Sequence, residues 1–283
     1  MVMEKLSNGE QVAIDDEWIE AAGEMFKAAL RKQLKPEPRT FVLRMSNIGK
    51  PLCQLQLEKA GMKKSRLPYN HVMKMLLGDA TECIIEVLLR AAEFNITGGK
   101  SKVTLKVAGT EINGEDDIEI DGKVFDTKSS SPWAFHQKWD SWETLKSDDS
   151  FGYIPQMIGY SHGQGKKAGG WIVVNKSTGE VRILEIDPTD ADVKAVLERI
   201  ADTVTKINSD APFEPCFKAE KEKFRTKPTG NTKVPLTCTY CSFMSHCWPN
   251  AQYKPQAGSQ AQNPKYVWYD KYIEPKKEEN EAA

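Results

Sequence analysis

Residues 113–128, NGEDDIEIDGKVFDTK, constrain this chain most, because they read as a β-hairpin with a two-residue turn. Asp121-Gly122 suits a type I′ turn, whose two central residues both need positive φ. With those two as the loop, Ile120 pairs with Lys123, Ile118 with Phe125 and Asp117 with Asp126. Side chains alternate along a strand, so Lys128 shares a face with Asp126, and hence with Asp117. Two carboxylates directly opposite, about 5 Å apart at Cβ, repel and weaken a sheet. A divalent cation between them removes that cost, and a lysine two residues on is placed to steady an attacking water. In outline this is a metal-dependent hydrolase site. An ordinary charged surface hairpin is the competing reading.

A chain of 283 residues with 40% hydrophobic and 28% charged content is a globular one with a sizeable core. Its net charge of −1 excludes an overall basic field, so any groove for a polyanion must be a local patch. No run reaches the apolar length of a membrane span and the N-terminus lacks a signal-peptide pattern, so the expectation is a cytoplasmic protein without membrane contact. In that compartment six cysteines argue for metal or cluster ligation over disulfides.

In chain order, Asp15 or Asp16 caps a helix to about Leu34, which the Pro36–Pro38 stretch stops. Cys53 opens a helix after Pro51, and Lys63, Lys64 and Arg66 form a small basic knot, solvated or phosphate-binding. A helix over 70–94 carries Met73, Leu76, Leu77, Ala80, Ile84, Val87, Leu88 and Ala91 as its expected buried stripe. On the opposite side stand Gly78, Glu82 and Glu86, four apart, with Glu82 as third metal ligand and Glu86 its weaker competitor. The glycine one turn before is expected to admit a close backbone neighbour. Strands follow over 103–107, 111–120 and 123–129. A helix starts at Ser130 or Ser131 with Pro132, and the aromatics Trp133, Phe135, Trp139 and Trp142 read as core packing ahead of base stacking. A helix over 151–162 bears Gln156 and Tyr160 on one face. A hairpin (171–174 and 181–186) and an amphipathic helix (189–207) complete an α/β sandwich with a mixed central sheet.

After a polar connector (209–234), Cys238, Cys241 and Cys247 form C-x₂-C-x₅-C, with Cys53 as the distant fourth. Two thiolates from one turn plus two others close a four-coordinate site. Zinc and a [4Fe–4S] cluster both fit these residue types; three close cysteines and one distant one lean toward the cluster. Cys216 in place of Cys53, and His246 as a zinc ligand, are weaker alternatives, and Cys83 reads as an inert buried thiol. The role expected of the site is structural, since metal-binding energy there is folding energy. Beyond residue 250 the chain reads as a polar, linker-like tail, with Tyr266, Trp268, Tyr269 and Tyr272 available to dock on the body or a partner.

Gly114-x-x-Asp117, Asp126-Thr127-Lys128 and Gln156-x-x-x-Tyr160 resemble, in order, motifs of the PD-(D/E)xK nucleases in their RecB-like branch, and Gly78-x-x-x-Glu82 resembles that branch's upstream helix motif. The cysteine set resembles the iron–sulphur subset, which includes CRISPR-associated Cas exonucleases and the AddB nuclease domain; SNIGKPLCQLQLEKAG is similar to bacteriophage members. The resemblance covers about residues 44–250. The motif's leading proline is absent: Glu115-Asp116-Asp117 stands there, with Asp116 as a register competitor that the hairpin pairing sends to the other face.

The resemblance implies a restriction-endonuclease-like core (46–210) after a helical lead-in (1–45), then a cysteine segment (211–250) and a tail (251–283). It implies a DNA exonuclease acting on linear ends, single- or double-stranded, in phage or prokaryotic recombination, replication or repair. Glu82, Asp117, Asp126 and the Thr127 carbonyl would hold Mg²⁺ or Mn²⁺, Lys128 would orient the water, Gln156 would support the site and Tyr160 would touch substrate or backbone. Cys53, Cys238, Cys241 and Cys247 would bind the cluster. A structure-selective endonuclease and an inactive DNA-binding module are the alternatives. A homo-oligomer or a recombination partner protein is compatible with the resemblance, though no residue pattern argues for either.

Overall fold

The computed structural model describes residues 2–35, 40–65 and 69–273. The chain begins α1 (Val2–Ser7), α2 (Asp16–Leu34), α3 (Leu52–Lys59), α4 (Tyr69–Ala91), β1 (Ile96–Gly98), β2 (Lys102–Val107) and β3 (Thr110–Glu115). It continues β4 (Ile118–Ile120), β5 (Lys123–Ser130), α5 (Pro132–Gln137), α6 (Trp142–Ser147), α7 (Tyr153–Gly163), β6 (Lys167–Asn175), β7 (Val181–Glu185) and α8 (Asp190–Asn208). Last come β8 (Glu220–Phe224), β9 (Lys227–Lys233), α9 (Leu236–Thr239), α10 (Met244–Cys247), β10 (Gln252–Pro255) and β11 (Tyr266–Lys271). Two compact units result, one from Met1–Lys50 and Leu67–Ala211, the other from Pro51–Arg66 and Pro212–Ala283. The Pro36–Pro38 stop, Arg66 of the basic knot and the last ten residues of the tail lie outside the described residues.

The larger unit holds a five-stranded sheet in the order β1-β4-β5-β6-β7, flanked by helices. β5 and β6 are parallel and the other pairs antiparallel, so the sheet is mixed, as expected. The hairpin pairs Ile118 with Phe125 and Ile120 with Lys123, with Asp121 (φ 50°) and Gly122 (φ 73°) as its left-handed turn. Burial of Ile118, Ile120 and Phe125 against Ile85 and Leu89 of α4 and Ile172 of β6 makes a core on one face. Fully burying such a side chain contributes about 1.5–3 kcal/mol, which anchors α4 to the hairpin.

Three expectations are corrected here. The strand over 111–120 is two strands in two sheets: β3 pairs with β2 in a separate hairpin, and β4 joins the central sheet. Asp116 and Asp117 form the crossing between them. The buried stripe of α4 was assigned to the wrong side. Met73, Leu77 and Ile84 are exposed, Ile84 by 58%, while Cys83, Ile85 and Leu89 are buried. This helix is apolar on more than one side, so periodicity shows a helix without showing which face meets the sheet. Finally, the polar connector and the tail contain β8, β9, β10 and β11, which pair as one antiparallel sheet, β10-β11-β9-β8, in the smaller unit. Glu222, on the edge strand β8, is buried and accepts hydrogen bonds from Tyr269 Oη (2.6 Å), Thr229 Oγ1 (2.7 Å) and Asn231 Nδ2 (2.9 Å). Polar residues that satisfy one another in this way conceal a sheet from hydropathy patterning. The short strand β1 was also missed.

Candidate functional site

The acidic site grows from the hairpin. On β5, Asp126 and Lys128 face one side; Phe125, Thr127 and Ser129 face the other, where a Cβ added to Gly78 of α4 would meet Ser129 Oγ at 3.7 Å. That is ordinary contact, so Gly78 is not required there by space, contrary to expectation. Asp117 lies just before β4, where the hairpin pairing ends at Ile118–Phe125, so it does not pair with Asp126 as a strand residue; instead its Oδ2 accepts from the Thr127 amide at 3.1 Å. Lys128 Nζ is 2.5 Å from Asp126 Oδ2. Asp116 turns away, as expected. It is buried, and its carboxylate accepts from Ser101 N (2.6 Å) and Gln164 Nε2 (2.9 Å).

Glu82 stands on α4, and Lys100, in the loop after β1, reaches in between. Lys100 Nζ is 3.8 Å from both Glu82 Oε2 and Asp117 Oδ1. Sequence reasoning missed Lys100; a lone lysine after a three-residue strand carries no pattern. Glu86, the competitor to Glu82, is engaged by Arg90 Nη2 at 2.9 Å. On α7, Gln156 and Tyr160 share a face, and the Tyr160 ring is buried. A Cβ on Gly114 would lie 2.8 Å from Tyr160 Cε1 and 2.6 Å from Met45 Cβ. The glycine three residues before Asp117 thus admits the Tyr160 ring. Tyr153 adds its ring, with Lys128 Nζ 5.8 Å from the centroid.

Burial pushes the Asp126 carboxyl up to about 7, with Asp117 adding to the rise and Lys128 opposing it. Glu82 is pushed up to about 7 by burial and by Asp117, against Lys100 and Lys128. Burial works against the charge on Lys128, but Asp126 and Asp117 outweigh it and hold the ammonium above its ordinary value. Among the described residues no three His, Cys, Asp or Glu side chains converge closely enough to hold one ion as they stand. At the acidic site the two ammonium groups lie among the carboxylates. The donors, carboxylate oxygens and the Thr127 carbonyl, are the hard ligands that suit Mg²⁺ or Mn²⁺.

In the smaller unit, Cys53 sits in the first turn of α3, Cys238 in α9, Cys241 just beyond it and Cys247 at the end of α10. All four line one cavity of about 30 Å³, with Trp248 and Phe243. The buried Trp248 indole N–H has no acceptor of good geometry among the described residues, and it stands by the Cys238 sulphur, where it favours the thiolate. Such a donor beside a sulphur fits a thiolate-bound metal group. Burial otherwise raises Cys238 to about 11 and also raises Cys247. Cys216 is the neighbour rated low from sequence. Its Sγ accepts from the Cys53 amide at 3.1 Å, and donation from the Cys53 thiol and backbone lowers it to about 6. His246 packs edge-on against Phe213 and does not line the cavity. Cys83 is buried and donates to Asp79 O at 3.2 Å, as an inert thiol should.

Phe135 and Trp139 are core residues, whereas Trp133 is exposed. No helix among the described residues is long and apolar enough to cross a membrane.

No family model matches the sequence, and no curated protein matches it. Among solved structures, the crystal structure of SSO0001 aligns over 80% of this chain and 96% of its own, at 15% identity and a TM-score of 0.43. The crystal structure of LHK-Exo in complex with dAMP aligns over 69% of this chain and 94% of its own, at 13% identity and a TM-score of 0.38. At these scores the two likenesses carry no functional argument.

Proposed function

We propose that this protein is a divalent-metal-dependent DNA exonuclease of the PD-(D/E)xK kind. The observation that carries the reading is the Asp117 carboxylate accepting from the Thr127 amide beside the hairpin, with the ammonium of Lys128 against Asp126. Glu82, Asp117, Asp126 and the Thr127 carbonyl would hold the cation. When bound, Mg²⁺ or Mn²⁺ supplies Lewis-acid polarisation of the phosphate and lowers the pKa of water. Lys128 stays an ammonium, so it orients the attacking water by donating to it and offsets charge gathering on the phosphate. The water oxygen would bond to phosphorus as the phosphorus–oxygen bond to the leaving sugar breaks, the water giving up a proton to solvent and the sugar oxygen taking one from solvent. Gln156 supports Tyr160, whose hydroxyl would meet the backbone of the nucleic acid. Cys53, Cys238, Cys241 and Cys247 would bind a metal group, an iron–sulphur cluster by the resemblance, with a single zinc ion as the competing occupant.

The test is a time course on end-labelled linear and covalently closed circular DNA with Mn²⁺ or Mg²⁺. Loss of the linear substrate alone supports the exonuclease, and cutting of the circle redirects the reading to an endonuclease. Lys128→Ala should abolish cleavage while DNA binding persists; a fully active variant overturns the assignment. Brown protein with about four irons per chain supports the cluster, and colourless protein with one zinc replaces it.

A further inference from the structure

Lys100 is held into the acidic site by a loop that has little freedom. Its backbone is left-handed (φ 52°), uncommon for a residue with a side chain and retained where the surroundings over-determine it. The surroundings here are explicit. Lys100 N donates to Asp116 O (3.2 Å), Ser101 N to the Asp116 carboxylate (2.6 Å) and Asp116 N back to Ser101 O (3.2 Å). The preceding Gly99 (φ 146°) presses so close that a Cβ would lie 2.8 Å from Asp117 O. The loop is therefore fastened to the same crossing that presents Asp117.

The side chain it delivers lies between two proposed metal ligands without a tight bond to either. At 3.8 Å from each carboxylate the ammonium is in ion-pair range and beyond hydrogen-bond length, unlike Lys128 on Asp126. Its side chain is 34% exposed, so it is not sealed in by packing. With all three carboxylates ionised, Glu82, Asp117 and Asp126 against Lys100 and Lys128 leave one net negative charge. A dication would reverse that sign, and repulsion would then drive out the more loosely held ammonium, which is Lys100.

We propose that Lys100 is a built-in counter-ion of this site, holding Glu82 and Asp117 together without metal and passing to a DNA phosphate once a divalent ion takes its place. The inference rests on the proposed nuclease reading and names a residue that would couple cation binding to substrate binding. Lysine is suited to such an exchange, as a compact charge on a flexible stem.

The experiment is Mn²⁺ titration of the full-length protein by calorimetry, alongside steady-state cleavage of linear DNA. Lys100→Met removes the competing charge and should bind Mn²⁺ roughly two- to fivefold more tightly, the range for a partly exposed ion pair. At saturating Mn²⁺ its KM for DNA should rise several-fold more than its kcat falls. Lys100→Arg should restore KM. Lys100→Asn, which tolerates the left-handed backbone, serves if the methionine variant melts early. Unchanged Mn²⁺ affinity in both neutral variants overturns the inference even if DNA is cleaved. Tighter Mn²⁺ binding with no cleavage by the wild type supports the counter-ion role and removes the nuclease reading. Wild-type protein that binds no Mn²⁺ overturns both.

Discussion

Gly49 and Gly152 meet backbone to backbone: a Cβ on either would overlap the other's carbonyl group. Gly152 also has φ 75°, so a side chain there is disfavoured twice. It is the residue immediately before α7, and the contact fixes where that helix begins and thereby where Gln156 and Tyr160 point. Gly152→Ala should cost about 2–4 kcal/mol, in the range for strained and overpacked sites. Denaturant unfolding of the variant checks this, and a loss under 0.5 kcal/mol would show that the close approach is readily relaxed.

Metal-free protein should lose stability as pH rises from about 4 to about 7. Glu82 and Asp126 are lifted from ordinary values of 4.5 and 3.8 to about 7. The folded state therefore keeps protons that the unfolded chain releases, and this contribution is full below the ordinary values and gone above about 7. Lys100 and Lys128 are raised from 10.5, so their contribution is constant across this window. Melting temperature against pH should fall in wild type and fall less in Glu82→Gln. Added Mg²⁺ should cancel the fall, since a cation binds the ionised form.

Trp248→Phe should weaken the cysteine site by about tenfold in metal affinity, the lower range for an outer hydrogen-bond donor. Phenylalanine keeps a flat six-membered ring but removes the pyrrole portion with the N–H that stands by Cys238. Competition with a chelator measures it; an unchanged affinity would mean the indole is there for packing.

Tyr269→Phe should destabilise the four-stranded sheet by about 1–3 kcal/mol, because Glu222 loses its shortest hydrogen bond while staying buried. The same hydroxyl accepts from the Ala257 amide at 2.9 Å, so a second buried group is left unpaired. Hydrogen exchange at β9 and β11 would report the loss locally.

Much of the acidic site was legible because its logic is local. A two-residue turn fixes register, register fixes which side chains oppose, and so Asp117, Asp126 and Lys128 could be grouped from 16 residues of sequence (113–128). Glu82 was reachable as a residue, although the helix face was misjudged, since two apolar sides compete and only the sheet decides between them. Lys100 was invisible because its position depends on a left-handed loop and on Asp116, neither of which has a spacing rule. The small sheet was misread for a related reason. Its strands are short and polar, and it buries a carboxylate satisfied by Tyr269, Thr229 and Asn231, an arrangement that hydropathy scores as loop.

The smaller unit draws α3 from early in the chain and everything else from its end. On the ribosome, then, Cys53 is made long before Cys238, Cys241 and Cys247, by an interval on the order of ten seconds or more at ordinary elongation rates. Throughout that interval the chain between them can fold while Cys53 waits as an unmatched thiol. Any grouping of the four cysteines must therefore wait until Cys247 has been made. A chain that stops between Tyr160 and Cys238 would carry the acidic side chains and Cys53 but none of the three later cysteines.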